Sequence, residues 1–237
     1  MLPLTFHHEL LLRSPAGARA GWAARPGGCA KNDATPSATS TTGTPPPNLH
    51  TQANSALVRP RLINISACQN PTVTGCTCLH GHGLSIGSET SLGINTLTVS
   101  NYVFTNTDNG IRIKSAPGLG GLLQNVSYSN ITTTNVKKPL VLNRAYALNP
   151  NNTHPTDIPS VVGMALDHLT VTGAQNAGSL VGLATLPIQN LPLSNLTISA
   201  KTGLVMQHAT GVVLSNWVIN VASGKLISTQ NVQGTGF

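Results

Sequence analysis

The stretch Thr98-Val-Ser-Asn-Tyr-Val-Phe104 is one copy of a pattern that recurs after residue 61, a short β-rich run around a Ser-Asn pair. Similar runs are V-S-Y-S-N-I-T around Asn130, L-S-N-L-T-I around Asn195 and V-L-S-N-W-V-I around Asn216. The interval from Asn101 to Asn130 is 29 residues, and the interval from Asn195 to Asn216 is 21. A repeat unit of roughly 20 to 35 residues fits both. The interval from Asn130 to Asn195 is long enough for two units, with D-H-L-T-V-T at 167–172 in between. Such a repeat predicts a solenoid.

The recurring asparagines have a physical role in an all-β, right-handed parallel β-helix. Its rungs stack about 4.8 Å apart, so identical turn residues align into hydrogen-bonded ladders. Asn also tolerates the left-handed backbone conformation that tight corners require. Ile, Val and Leu would fill the interior. N-glycosylation is the alternative for the asparagines that begin an N-x-Ser/Thr sequence, which are Asn64, Asn125, Asn130, Asn151 and Asn195.

Composition excludes several classes of protein. Of the 237 residues, 8% are charged and 3% aromatic, which disfavours a helical bundle and suits short strands with many turns. The net charge of +7 divides into +4 from residues 1–61 and +3 from the remainder. There is no Lys/Arg-rich run or aromatic stacking set, so we expect no nucleic acid partner. No apolar run reaches eighteen residues, so we expect no membrane span.

The first sixty residues differ in character from the rest. Residues 13–60 are rich in Pro, Gly, Ala, Ser and Thr, culminating in T-P-S-A-T-S-T-T-G-T-P-P-P-N at 35–48. Such a composition buries too little apolar surface to offset its ordering entropy. We therefore predict a disordered or non-native segment over 1–60 and a β-helix over 61–237. A truncated or frame-shifted gene is an alternative origin for the junction.

Four cysteines, Cys29, Cys68, Cys76 and Cys78, allow more than one interpretation. Cys76-Thr-Cys78 lies beside His80 and His82, but no second pair at zinc-finger spacing exists, so we expect buried or paired thiols and no metal or other cofactor. A disulfide requires export. The N-terminus, with His7, His8 and Glu9 among its apolar residues, makes a poor secretory signal.

Three motifs occur in a recognisable order: G-H-G-L-S-I-G-S at 81–88, G-I-R-I-K at 110–114, and N-V-S-Y-S-N-I at 125–131. This order resembles the polygalacturonases of glycoside hydrolase family 28, and the resemblance covers the C-terminal portion of the family domain, at about residues 61–237. It implies a pectin-lyase-like solenoid, the hydrolysis of α-1,4-galacturonosidic bonds in pectin or polygalacturonate, and a secreted or periplasmic location. A solenoid truncated at its N-terminal end could associate through that open end.

The resemblance also implies roles for four residues. His82 would assist acid–base chemistry beside the scissile bond. Arg112 and Lys114 would bind the uronate carboxylate, and alternation places both on one strand face while Ile111 and Ile113 point inward. Tyr146, in P-L-V-L-N-R-A-Y, would stack on a sugar ring. Without a ligand, His82 would be an ordinary turn residue and the two cations part of a solvated strand face.

The catalytic acids of the family are not evident. Inverting hydrolysis needs a proton donor and a second carboxylate that activates water. The resemblance implies an N-T-D segment and a D-D pair before G-H-G, yet the chain has no D-D and its Asn106-Thr107-Asp108 follows that turn. We interpret Asp108 as a turn carboxylate, and Glu89, Asp157 and Asp167 as solvent-facing or turn-capping.

The sequence therefore predicts a truncated and inactive member of the family that keeps its uronate-binding residues. Two other classes of protein stay open. A non-catalytic polyuronate-binding module would keep His82, Arg112 and Lys114 and dispense with the acids. A structural β-helix would need neither ligand nor cleft.

Overall fold

The structure is a computed structural model, which describes residues 70–87, 90, 93–146 and 157–237 in full and three earlier strands as backbone. Every regular element of these residues is a strand. The strands are β1 (Leu10–Leu12), β2 (Leu49–Gln52), β3 (Leu62–Ile65), β4 (Pro71–Thr74), β5 (Thr77–Cys78), β6 (Gly83–Ile86), β7 (Ile94–Asn95), β8 (Thr98–Thr105), β9 (Asn109–Lys114), β10 (Leu122–Thr134), β11 (Lys138–Asn143), β12 (Ser160–Val181), β13 (Ile188–Val221) and β14 (Ile227–Thr235).

All pairs of strands are parallel, and successive turns of the chain stack on one another. One ladder runs through β3, β6, β9 and β11 to the end of β12, and a second runs through β4, β8 and β10 to the beginning of β12. Both continue through β13, and β14 is the last rung. The predicted all-β parallel β-helix is confirmed.

The register also confirms how the long repeat interval divides. Asp167 lies opposite Ser129 on one side and opposite Ser194 on the other. The segment from Asn130 to Asn195 therefore makes two turns of the solenoid, and D-H-L-T-V-T occupies the rung between them.

The core is built from the inward side chains of each rung. Ile111 and Ile113 of β9 are at most 1% exposed, and they lie over Leu84 and Ile86 of β6. Leu140 and Leu142 of β11 continue the same two rows. Stacking like residues at the strand spacing removes them from water at about 25 cal/mol per Å² of apolar surface, which is the main stabilising contribution. The rows hold the β9 backbone in place and thereby position its outward residues.

The asparagines form the predicted ladders at the corners. Asn125 donates its side-chain amide to Asn95 at 3.3 Å, and Asn130 donates to Asn101 at 3.2 Å. The corner residues Asn101, Asn125 and Asn130 have φ between 52° and 55°, the left-handed region that Asn tolerates.

The ladder continues into the last rungs, where Asn216 donates to Asn195. Asn195 has φ 56°, so its backbone matches those of the earlier corners. Of the other N-x-Ser/Thr positions, Asn64 is described only as part of a strand and Asn151 lies outside the described residues.

Most of residues 1–61 lie outside the described part, although β1 and β2 pair with β3 and β4 there. The predicted division at about residue 60 therefore stays a prediction. In the described part, no helix has the length and apolar character needed to cross a membrane.

Candidate functional site

The site begins at the turn before β6, where glycine is required for packing. Gly83 has φ +76°, and a Cβ at this position would overlap the carbonyl oxygen of Asn109 and lie 2.6 Å from that of Gly110. The missing side chain lets the G-H-G turn pack directly against the beginning of β9. As a result, His82 lies beside the residues that open β9.

A shallow cleft of about 290 Å³ lies outside the sheet at this point. Three of its six lining residues are cations and one is a carboxylate. The lining residues are His82, Asp108, Asn109, Arg112, Lys137 and Lys138. The cleft therefore has an excess of positive charge, which suits an anionic ligand.

Asp108 contacts both the G-H-G turn and Lys137. Its backbone N–H donates to the carbonyl of Gly81 at 2.8 Å, which ties β9 to the G-H-G turn. Its Oδ2 lies 3.3 Å from Nδ1 of His82, and its Oδ1 accepts a hydrogen bond from Nζ of Lys137 at 2.6 Å. The carboxylate thus bridges the histidine and one lysine.

These neighbours keep Asp108 ionised. The hydrogen bond from Lys137 is the largest cause that lowers the pKa of Asp108 below its ordinary value. Partial desolvation opposes this effect, while the positive charges of Lys137, His82 and Arg112 add to it. A carboxyl group with a lowered pKa is a poor proton donor near neutral pH.

Arg112 extends from the middle of β9 on the outward face. It pairs with Ser85 of β6 and Val141 of β11, and it is half-buried, whereas Ile111 and Ile113 are buried. The predicted alternation along this strand is therefore observed. The guanidinium faces the same cleft as His82 and Asp108.

Lys114 and Tyr146 lie at the other end of β9. Nζ of Lys114 is 5.3 Å from the centroid of the Tyr146 ring, within the range of a cation–π contact. The N–H of Tyr146 donates to the carbonyl of Ser115 at 3.2 Å, and the residue is 38% exposed. Of the four predicted site residues, His82 and Arg112 therefore share the cleft, while Lys114 and Tyr146 form a pair two strand positions further on.

Arg144, just before Tyr146, is fully buried. Its Nη1 donates to the carbonyl of Leu186 at 2.6 Å, and burial lowers the pKa of its guanidinium to about 10. It does not line the cleft.

Sequence reasoning missed Lys137 and Lys138. The repeat contained a signal for them, because Lys138 pairs with Asn109, and their separation along the chain equals that from Asn101 to Asn130. Advancing the N-T-D-N segment at 106–109 by one turn leads to N-V-K-K at 135–138. Asp108 precedes a strand, as the turn interpretation expects, but its carboxylate also lines the cleft.

The other carboxylates that we considered lie elsewhere. Asp167 accepts hydrogen bonds from Ser194 and Asn195, each at 2.6 Å, and pairs with His168 at 2.7 Å, which together lower its pKa to about 2. It belongs to the corner ladder. The carbonyl of Asp157 accepts the N–H groups of Gly118 and Gly120, and Glu89 lies outside the described residues.

No metal site is apparent in the ranges with described side chains, because no group of three His, Cys, Asp or Glu residues is close enough there to hold an ion. Cys76 and Cys78 are buried, with their sulfur atoms 3.6 Å from the carbonyl of Thr74 and 3.4 Å from that of His80, respectively. Cys29 and Cys68 lie outside the described residues.

Comparison with known proteins identifies the family of this fold and cleft. The sequence model named Glycosyl hydrolases family 28 matches residues 62–213. Endopolygalacturonase I of Aspergillus oryzae is 38% identical over 127 residues, which are 52% of this chain and 33% of the relative. Endopolygalacturonase 1 of Colletotrichum lindemuthianum is 30% identical over 175 residues, 69% of this chain and 39% of the relative.

A bacterial relative agrees with the two fungal proteins. The endo-polygalacturonase of Pectobacterium carotovorum subsp. carotovorum is 43% identical over 83 residues, 35% of this chain and 19% of the relative. The chain thus spans less than two fifths of the length of each of these three curated relatives. Because the family model matches well over half of the chain, the chain belongs to glycoside hydrolase family 28.

Proposed function

We propose that this chain recognises polygalacturonate, as the carbohydrate-binding part of a polygalacturonase cleft. The observation that carries the proposal is the charge of the cleft, where Arg112, Lys137 and Lys138 outnumber the carboxylate of Asp108. Each sugar of polygalacturonate carries a carboxylate, so the ligand and the cleft have complementary charge. The names of the relatives, which are endopolygalacturonases, support the same substrate class. Because pectin is a cell-wall polymer, the proposal includes action outside the cell.

Each predicted site residue has a specific task in this proposal. Arg112 offers a planar fork of N–H donors that matches a carboxylate. Lys114 and Tyr146 together present a cation and an exposed ring, which suit the carboxylate and the apolar face of a sugar. His82, about half-exposed beside Asp108, would hydrogen-bond a sugar hydroxyl or the glycosidic oxygen.

Hydrolysis by this chain alone is not part of the proposal. An inverting glycosidase requires a protonated carboxylic acid and a second carboxylate about 6.5 to 9.5 Å away. Asp108 is the one carboxylate among the residues lining the cleft, and its pKa is lowered, so it does not suit the task of proton donor. The sequence contains no D-D pair to supply the others. We expect binding of polygalacturonate without cleavage.

Affinity electrophoresis tests the proposed binding. The purified chain would be run through gels containing polygalacturonate or, as a neutral control, dextran. We expect retardation by polygalacturonate alone, with Arg112→Ala less retarded and Lys201→Ala unchanged, because Lys201 is an exposed lysine that does not line the cleft. Equal mobility in both gels would contradict the proposal.

A further inference from the structure

We infer that Lys138 binds a second carboxylate of the polyuronate, so that the cleft recognises two unesterified uronates at once. This inference rests on the proposed function. It assigns a ligand contact to a residue that no sequence motif identified, and it makes Lys138 a determinant of specificity for unesterified polymer.

The backbone fixes Lys138 at the mouth of the cleft. Its N–H donates to the carbonyl of Asp108 at 3.1 Å, and it pairs with Asn109 at the first position of β11. The Lys138 side chain is exposed and lines the cleft. The backbone of Lys138 is therefore held in place, and its side chain reaches solvent within the cleft.

The two neighbouring lysines have different tasks. Lys137 is held at 2.6 Å by the carboxylate of Asp108, so much of its charge is already compensated. Neither Lys138 nor Arg112 lies within ion-pair distance of a carboxylate in the described parts of the chain. The net positive charge of the cleft thus belongs mainly to Arg112 and Lys138.

The spacing of these two residues along the sheet lets each cation bind a carboxylate of its own. Lys138 pairs with Asn109, so it is one rung across and three strand positions back from Arg112. With a rung spacing of about 4.8 Å and a rise of about 3.3 Å per residue, their Cα atoms are about 11 Å apart. A single carboxylate held by the Arg112 fork would leave Lys138 unneutralised. An oligomer supplies a second carboxylate without a second binding event.

Methyl esterification provides the test, because it removes a carboxylate charge and leaves the sugar in place. Isothermal titration calorimetry would compare trigalacturonate with its methyl ester for the wild type, Lys138→Ala, Arg112→Ala and Lys225→Ala. Lys225 is an exposed lysine outside the cleft and serves as the matched control. Circular dichroism would confirm that each variant keeps its β-rich fold.

We expect Lys138→Ala to weaken the binding of trigalacturonate by about two- to fivefold, the range of an exposed ion pair. The preference for the unesterified ligand should shrink by a similar factor. The second contact is overturned if Lys138→Ala behaves like Lys225→Ala while Arg112→Ala still weakens binding, and the proposed function then stands. If the wild type binds neither ligand, both proposals fail.

Discussion

Lys137 and Asp108 lie on successive turns of the solenoid, and Nζ of the lysine is 2.6 Å from Oδ1 of the aspartate. The N–H of Lys137 also donates to the carbonyl of Thr107 at 3.2 Å. This backbone hydrogen bond holds the chain at Lys137 against the turn that carries Asp108. The ion pair keeps the Asp108 carboxylate charged and keeps one of the three cleft cations close to it.

The first prediction concerns hydrolysis. The purified chain should release no reducing ends from polygalacturonate above background, because a cleft without a proton donor leaves the glycosidic oxygen a poor leaving group. The measurement is a reducing-sugar assay, with Asp108→Asn as the companion variant. Turnover that survives this change would reveal catalytic acids that we have missed. Turnover that the change abolishes would identify Asp108 as one of them.

The second prediction concerns acid stability. Asp167 has a folded-state pKa of about 2, below its ordinary value of 3.8, because its hydrogen bonds favour the charged form. A depressed pKa contributes stability that is present above about pH 4 and lost as the pH falls towards 2. Asp167→Asn should therefore lower the urea midpoint at pH 7 and have a smaller effect at pH 2.5. An equal loss at both values would show that ionisation of Asp167 is not the cause.

The third prediction concerns the glycine that seats the G-H-G turn. Gly83→Ala should cost about 3 kcal/mol or more, since it combines a left-handed φ with overlap against the Asn109 carbonyl. Gly224→Ala is the matched control, because its φ is +83° but nothing lies within 4 Å of the added Cβ. It should cost about 1 kcal/mol. Urea unfolding of both variants measures the difference, and similar costs would rule out close packing as the reason for Gly83.

The fold could be predicted from the sequence because the signals for corners and for strand alternation lie within short segments of the chain. The asparagines mark corners where φ is positive, and alternation fixes which side chains of β9 point inward. Both signals repeat at each turn, so the solenoid and its approximate period could be predicted from residues alone. The same repeat also predicted that the interval from Asn130 to Asn195 contains two turns of the solenoid.

The site was less predictable because it depends on register between turns. Turn lengths vary along the chain, with Leu84 paired to Ile111 but Ser127 to Ala165, so the offset that relates Asn109 to Lys138 is one of several and the sequence does not single it out. Lys138 became a cleft residue through its pairing with Asn109, and Asp108 through the orientation of a side chain that local sequence does not determine. Motif matching identified His82 and Arg112, because each belongs to a recognisable motif, and both residues line the cleft.

The last prediction concerns the charge of Asp108 in binding. Asp108→Asn should strengthen the binding of trigalacturonate by about two- to fivefold, because it removes a negative charge from the cleft and frees Lys137 for the ligand. The gain should diminish as salt rises above about 0.1 M, where charges further apart than about 10 Å are screened. Titration calorimetry at low and high salt measures both effects, with Asp167→Asn as the control for a distant carboxylate. Weaker binding by Asp108→Asn at every salt concentration would instead show that this carboxylate accepts hydrogen bonds from the sugar, or holds His82 in the orientation that binds it.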